Sequence, residues 1–164
     1  MPQAADAFHT HAHDHRACVE RALGEAEAVC ARAGARLTET RRRVLALVWE
    51  RPGPVGAYDL LEALSAERGR VAPPTVYRAL EFLLAHGLVH RIESLNAYVG
   101  CERPSEPHAG SFLLCRACGA SAELEAPAVE TALAACARGH GFALEASIVE
   151  LRGLCPACQG PEAR

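Results

Sequence analysis

Apolar residues recur at helical spacing in four successive segments of the first half of the chain. The spacing predicts helices over residues 18–33, 38–51, 57–66 and 73–87. Each segment is followed by glycine or proline, which favours a helix end there. Thr38 is a suitable N-cap for the second helix, and two prolines open the fourth, where a missing amide hydrogen costs nothing.

Strand character replaces the helical period after Gly87. Residues 88–93 and 97–99 are predicted strands, and residues 94–96 join them as a hairpin. Helices followed by such a hairpin are typical of a winged helix, which we place at residues 17–100.

A small α/β unit is predicted in the second half. Pro104 and Pro107 lie in a polar segment, residues 101–107, with the composition of a hinge. Strands are predicted at residues 111–114, 120–124 and 142–151, around a helix at residues 127–138. The fold class is therefore α+β, with a winged-helix domain followed by a small domain at residues 108–164 that needs a metal, and a second copy of itself, for stability.

The first 16 residues are predicted to form a disordered tail. They contain small and polar residues and four alternating histidines, His9, His11, His13 and His15. These imidazoles either bind metal loosely or have no specific role.

Composition limits the class of protein. The chain has 164 residues, of which 50% are apolar, enough for the cores of two small domains. It has no run of 18 apolar residues and no signal-peptide pattern at its start, so we expect a cytoplasmic protein without a membrane partner. Eight cysteines in that compartment indicate metal ligands or reactive thiols before disulfides.

The net charge of −3 neither demonstrates nor excludes nucleic-acid binding, because a local basic face is sufficient. All 17 basic residues are arginine, which suits bidentate contacts to phosphate and guanine.

Two cysteine doublets have the spacing of a four-thiolate zinc site. Their members are Cys115, Cys118, Cys155 and Cys158. Gly119 follows the first doublet and Pro156 lies inside the second, so tight turns present both pairs. Because 36 residues separate the doublets, the zinc is expected to tie the two ends of the small domain together.

The chain resembles the ferric uptake regulator superfamily over roughly residues 18–160, and within it the branch that senses zinc. The segments that carry the resemblance are Arg36-Leu37-Thr38, Ala57-Tyr58-Asp59-Leu60-Leu61, Pro73-Pro74-Thr75-Val76-Tyr77-Arg78-Ala79-Leu80, Leu88-Val89-His90-Arg91-Ile92-Glu93-Ser94 and the two doublets. The resemblance implies a homodimer with winged-helix DNA-binding domains and a C-terminal dimerisation domain. It also implies a repressor that binds palindromic operator DNA and controls zinc-uptake genes when zinc is plentiful.

A second zinc site is predicted around the hinge from His90, Cys101, His108 and Glu123. Two imidazoles, one thiolate and one carboxylate make a closed tetrahedral set for Zn²⁺, whereas iron and manganese sites favour nitrogen and oxygen ligands. The resemblance implies that these positions form the regulatory site, giving two zinc ions per protomer. Taken singly, His108 is equally a solvated loop histidine, and Cys101 a small buried apolar residue.

The fourth helix is the predicted DNA-contacting element. Arg78 on its outer face reaches guanine edges or phosphates, and Thr75 lies at the positive end of the helix. Tyr77 is balanced between phosphate contact and core packing. Tyr58 matches a DNA-contact position of the family, and the run of residues 41–43 is expected to be a solvated face that adds salt-sensitive affinity only if it meets the duplex.

The alternatives differ in what the metals do. A sister sensor of iron, manganese or peroxide would not need Cys101 as a ligand. An enzyme with a small-molecule substrate is not expected, because a catalytic zinc needs an open coordination position and both predicted sites are filled by protein ligands. A thiol redox protein would need one doublet to act alone. His140 is either an extra ligand or the end of a helix, and the other three cysteines, Cys18, Cys30 and Cys136, are expected in the core.

Overall fold

The computed structural model describes Phe8, residues 15–106 and residues 110–159. The chain divides into two compact units, one of residues 9–106 and one of residues 107–164 together with residues 1–8. The predicted hinge thus lies where one unit gives way to the other. Most of the predicted tail, including His9, His11 and His13, lies outside the described residues.

Four helices form the first unit close to their predicted positions. They are α1 (His15–Arg32), α2 (Glu39–Trp49), α3 (Ala57–Arg68) and α4 (Pro73–Ala85). Helix α1 begins three residues before its predicted start, so the backbone of His15 and Arg16 is helical. Thr38 is the N-cap of α2, as predicted, and its side chain accepts a hydrogen bond from the Arg41 amide.

The core of this unit is assembled around α2, which packs against the other three helices. Its buried apolar side chains include Val44, Leu45, Leu47, Val48, Leu60, Leu64, Val76, Leu80 and Leu83. Cys18 and Cys30 are buried in the same core, which confirms their predicted role. The four-helix periodicity of the sequence thus produces one continuous apolar interior.

The predicted hairpin forms the wing. Strands β2 (Val89–Ile92) and β3 (Ala97–Gly100) pair antiparallel, and a 3₁₀ turn at Glu93–Leu95 joins them. Asn96 completes the turn in the left-handed region, with φ of 48°, which asparagine tolerates better than most residues. A strand that was not predicted, β1 (Val55–Gly56), pairs with β3 and completes a sheet of order β1-β3-β2.

The second unit contains a three-stranded sheet and one helix. Strands β4 (Gly110–Cys115), β5 (Ser121–Glu123) and β6 (Ile148–Gly153) have the order β5-β4-β6, and α5 (Pro127–Gly139) lies between β5 and β6 in the chain. Strand β4 pairs antiparallel with β5 and parallel with β6. His140 is the C-cap of α5, the helix-end position that the sequence allowed.

The last predicted strand begins later than the sequence indicated. Residues 142–147 have no regular structure, and β6 starts only at Ile148. Ile148 pairs with Gly110, where the described part of β4 begins. The predicted start at residue 142 was wrong, because an apolar pattern alone does not make a strand.

Several large apolar side chains of the second unit are exposed in the single chain. Six of the described residues are of this kind: Val129, Leu133, Phe142, Leu144, Ile148 and Leu151. Cys136 on α5 is exposed as well, so its predicted place in the core was wrong. None of the described residues of α5 is buried, which leaves the apolar face of this helix uncovered. Among the described residues, no helix is both long and apolar enough to cross a membrane.

Candidate metal centres and DNA-binding surface

The two cysteine doublets lie at the C-terminal ends of two neighbouring parallel strands, so they are at the same end of the sheet. Cys115 ends β4 and lies opposite Gly153, the last residue of β6, two positions before Cys155. Two residues far apart in sequence therefore meet because the strands that carry them run side by side. The gap of 36 residues between the doublets is taken up mainly by β5, α5 and β6.

Each doublet is a tight turn stabilised by its own backbone. In the first, the Gly119 amide donates to the Cys115 carbonyl at 3.0 Å, and Gly119 has φ of 75°, a left-handed conformation that favours glycine. In the second, Pro156–Cys158 forms a 3₁₀ turn, and the Cys158 amide donates to the Cys155 carbonyl at 2.9 Å. Both turns present two sulfurs towards one point.

The sulfur positions fit a zinc ion. All four Sγ atoms lie within 4.8 Å of one another, and those of Cys118 and Cys155 are 3.7 Å apart. A tetrahedral ion with Zn–S bonds of about 2.3 Å places its sulfurs about 3.8 Å apart. The predicted ligands Cys115, Cys118, Cys155 and Cys158 are therefore close enough together to share one metal ion.

The thiols of this cluster have different proton affinities. Amide donation from Cys155 and then from Cys118 lowers the pKa of Cys115 to about 6, and the Cys155 amide lies 3.3 Å from the Cys115 sulfur. Hydrogen bonding to the sulfurs of Cys155 and Cys118 raises the pKa of Cys158 to about 12. Without a cation the cluster thus stabilises the Cys115 thiolate and disfavours the Cys158 thiolate. A metal ion is needed to stabilise several thiolates together.

Apolar packing limits water at this centre on one side. Cys115 and Cys155 are buried, and Ala120 is buried with them. Leu154 and Phe8 pack against the same cluster, so Phe8 belongs to the second unit although it precedes α1 in the chain. Cys118 remains exposed.

Two of the four predicted hinge ligands lie together in the first unit. His90 is on β2 opposite Val99 of β3, and Cys101 follows the end of β3, where its amide donates to the Leu88 carbonyl at 3.1 Å. The His90 ring nitrogen and the Cys101 sulfur lie within 4.8 Å of each other, and Cys101 is only 2% exposed. A buried thiol beside an imidazole suits Zn²⁺.

The other two hinge ligands belong to the second unit. Glu123 is the last residue of β5 and is partly buried. His108 lies outside the described residues. The residues present thus fit a tetrahedral zinc in ligand type, with the histidine and thiolate of the first unit already adjacent.

Helix α4 exposes the predicted DNA-contact residues. Thr75, Tyr77 and Arg78 face solvent in its first two turns, while Val76 and Ala79 point into the core. Tyr77 is 50% exposed, so of its two interpretations the structure favours a surface position over packing. Tyr58, the second residue of α3, is 80% exposed. Within the described part of the chain, Arg78 forms no ion pair.

The arginine run of residues 41–43 is engaged within the first unit. Arg41 lies over the Phe82 ring, 3.6 Å from its centre, and donates to the Arg36 carbonyl. Arg42 pairs with Glu27. Arg43 binds the carboxylates of Glu50 and Glu67, and these bonds, that to Glu67 first, raise its pKa above the usual arginine value.

Two of these partners were not predictable from the sequence. Glu27 and Glu67 lie 15 and 24 residues from the arginines they meet, and no local spacing signals such pairs. The packing of α1 and α3 against α2 creates them, whereas Glu50 lies at the end of α2 itself.

A winged helix with an exposed α4, followed by an α/β unit that carries four cysteines able to hold a metal ion, defines the class of metal-binding winged-helix proteins. The sequence profile of the ferric uptake regulator family matches residues 32–152. The chain belongs to the ferric uptake regulator family.

Relatives with established names are close in sequence and in structure. The chain is 44% identical to the zinc uptake regulation protein of Escherichia coli K12 over 142 residues, which cover 86% of this chain and 83% of that protein. It is similar to a zinc uptake regulator complexed with zinc and DNA, with a TM-score of 0.82 and 42% identity over 85% of this chain and 94% of the other. It is also similar to holo XcZur, with a TM-score of 0.76 and 44% identity over 83% and 95% of the two chains.

Proposed function

We propose that this protein is a zinc-responsive transcriptional repressor that binds palindromic operator DNA as a homodimer and controls zinc-uptake genes. The observation that carries the proposal is the pairing of the buried Cys101 thiol with His90 at the exit of the wing. A thiolate in the regulatory site favours zinc over iron or manganese. The relatives named as zinc uptake regulators support the same metal.

The four-cysteine centre has a structural role in this proposal. It joins the ends of β4 and β6 and lies beside a core too small to be stable alone. Bound zinc supplies a cation that holds four thiolates at one point. Its removal would release both turns together, because no other covalent or metal link joins them in the described residues.

The hinge ligands have the regulatory role. His90 and Cys101 belong to the DNA-binding unit, whereas Glu123 and His108 belong to the second unit. When all four bind one zinc ion, the DNA-binding unit loses freedom relative to the dimerisation unit. The conformational entropy of the two recognition helices is then lost when zinc binds rather than when DNA binds. Operator affinity therefore rises. Operator DNA must tighten zinc binding by the same factor.

Helix α4 is the proposed reading element. Arg78 is exposed and forms no ion pair within the described residues, so its guanidinium is available for guanine edges. Thr75 near the helix start suits a phosphate, and Tyr77 and Tyr58 add exposed hydroxyls that contact the backbone of the duplex.

The homodimer is proposed from the exposed apolar face of the second unit. Leu133 on α5 and Ile148 on β6 are among six large apolar side chains that a single chain leaves in water. Exposed apolar patches of this kind mark interaction surfaces. A second copy of the same face would bury them, as in other symmetric dimers.

The decisive experiment is retention of genomic DNA fragments by the purified protein across buffered free zinc at fixed ionic strength. Cys101→Ala is tested beside Cys136→Ala, which removes a thiol of the second unit outside both metal centres. We expect zinc-dependent capture of a few palindromic fragments by the native protein and by Cys136→Ala, and none by Cys101→Ala.

Zinc content decides how a negative result is interpreted. Cys101→Ala should retain the zinc of the four-cysteine centre, which shows that the second unit is folded, and its first unit should resist limited proteolysis like that of the native protein. Capture that follows iron or manganese instead would indicate a sister sensor. Absence of specific capture under any metal would contradict a regulatory function.

A further inference from the structure

The last residue of β3 lies directly against an aromatic ring. A Cβ atom added at Gly100 would overlap Cε2 and Nε1 of the Trp49 indole and lie 2.6 Å from its Cζ2. Real Cβ atoms do not approach other atoms so closely, so only glycine fits at position 100 while the indole is in place. Gly100 immediately precedes the hinge ligand Cys101.

Trp49 occupies a fixed position in the fold. It is the last residue of α2, it is only 7% exposed, and it is the single tryptophan of the chain. Helix α2 packs against both β3 and α4. The indole therefore lies against the strand that leads to Cys101, on a helix that also packs against α4.

The backbone at Gly100 is held from two sides. On one side Gly100 pairs with Val89 of β2, and the Cys101 amide donates to the Leu88 carbonyl. On the other side, Nε1, Cε2 and Cζ2 of the Trp49 indole lie where a Cβ of residue 100 would be. Together these contacts fix where the Cys101 sulfur lies relative to His90.

We propose that Trp49, through its contact with the Gly100 backbone, positions Cys101 for the regulatory zinc and so sets the affinity of that site. Trp49 touches no metal and acts as a positioning residue. This inference rests on the proposed function, since it concerns the zinc that His90 and Cys101 would hold. Packing that orients ligands typically changes metal affinity by about 10–100-fold when it is lost.

The test is a set of four variants of the full-length dimer. Gly100→Ala keeps the indole and forces the strand end to move. Trp49→Leu removes all three ring atoms that the added methyl group would meet, and the double variant combines both changes. Gly24→Ala is the matched control in the same unit, because a Cβ added at Gly24 would have no other atom within 4 Å.

The measurement is the affinity of the second zinc ion by chelator competition, after the four-cysteine centre has been loaded. Gly100→Ala should weaken it about 10–100-fold, and the double variant should recover to within about threefold of Trp49→Leu alone. Trp49→Leu should itself weaken the second site several-fold, because the strand end loses its support. Gly24→Ala should bind both ions like the native protein.

Several outcomes would overturn the inference. It fails if Gly100→Ala binds the second zinc like the native protein, or if the folded double variant is no tighter than Gly100→Ala. If Gly100→Ala does not fold, native affinity in Trp49→Leu alone overturns it. Trp49 emission in the native protein should change as the second zinc ion binds, and unchanged emission at saturation also contradicts the contact.

Failure of the proposed function has a different signature. If the native protein binds only the zinc of the four-cysteine centre, or if Cys101→Ala keeps the second ion, the regulatory site itself is wrong. The Gly100 and Trp49 variants are interpreted only against a native protein that binds two zinc ions and loses one in Cys101→Ala.

Discussion

Arg78 differs from Arg42 and Arg43 in having an exposed guanidinium that forms no ion pair within the described residues. Arg42 and Arg43 are paired with glutamates of the same unit. At the scale of single residues, exposure on α4 together with the lack of such a pair makes Arg78 the proposed DNA contact. The same holds for the thiols, since Cys101 is distinguished from Cys18 and Cys30 by its histidine neighbour.

Arg78→Ala is expected to weaken operator binding by about 1–3 kcal/mol, or about 10–100-fold, because it removes a bidentate donor to a base edge. Arg78→Lys should recover only the charge-dependent part of that loss. The measurement is fluorescence anisotropy with labelled operator at saturating zinc. Arg21→Ala, which removes an exposed arginine of α1, is the control, and an equal loss in both variants would show a general charge effect instead.

Glu67 provides a prediction about pH. The hydrogen bond from Arg43 lowers the pKa of Glu67, so the folded state favours its carboxylate. The resulting stabilisation is complete above the pKa that Glu67 has in the unfolded chain, and it is lost as the pH falls through the lowered pKa. Because the pair is partly exposed, we expect a difference of about 0.5–1 kcal/mol at neutral pH between the native protein and Glu67→Gln.

Urea unfolding of both proteins from neutral to acid pH measures that difference. The two stabilities should converge as the carboxylate is protonated. Glu62→Gln on the solvent face of α3 should match the native protein throughout. If the free energies of unfolding of the native protein and Glu67→Gln still differed in acid, the carboxylate charge would not be the source of that difference.

At the scale of elements, the sequence predicts the helices correctly from local signals, but it does not predict which strands pair. The four helices follow from apolar spacing and from end signals such as Thr38 and the glycines, all of which lie within a few residues. Strand β1 has only two residues and exists because β3 lies beside it, so it has no pattern of its own.

The candidate sites divide along the same line. Spacing alone identified the four cysteines, since each doublet is a local turn. The sequence also named His90 and Cys101, but their adjacency depends on the register of β2 with β3. The exposure of Cys136 and the contact of Trp49 with Gly100 could not be predicted, because both depend on which surfaces pack together.

The two turns that carry the cysteine doublets lead to a prediction about the stability of the second unit. Cys118→Ser is expected to lose the zinc of the four-cysteine centre and to unfold the second unit, because β4 and β6 lose the link between their ends. The first unit, with its own core, should remain folded. Zinc content per protomer and limited proteolysis measure both effects.

Cys136→Ser is the control for that experiment, since it alters an exposed thiol of the same unit outside the centre. It should keep its zinc and resist protease like the native protein. A folded second unit in zinc-free Cys118→Ser would show that the metal is not structural.

At the scale of the whole molecule, the distribution of apolar surface separates the two units. Among the described residues, the first unit leaves Tyr58, Tyr77 and Leu95 exposed and buries most of its large apolar side chains, whereas the second leaves six exposed on α5, β6 and the segment between them. The second unit therefore carries the surface proposed for the dimer. None of the described residues of α5 is buried in the single chain.

Leu133→Asp is expected to convert the dimer to monomer or to weaken it strongly, because it places a charge within the proposed interface. Sedimentation velocity over a range of protein concentrations measures the association. Leu95→Asp introduces the same charge at an exposed leucine of the wing and should leave the dimer intact. Loss of zinc-dependent operator binding should accompany loss of the dimer in Leu133→Asp only.

The internal pairing of the arginine run affects how the protein distinguishes an operator from the rest of a chromosome. Arginines already satisfied by glutamates release few counterions on approaching a duplex, so they add little attraction for arbitrary sequence. In the proposed dimer, weak background attraction leaves the protein free of DNA until its two copies of α4 are correctly spaced. A modest rise in free zinc can then change operator occupancy, which would not be possible for a protein held on any DNA by charge alone.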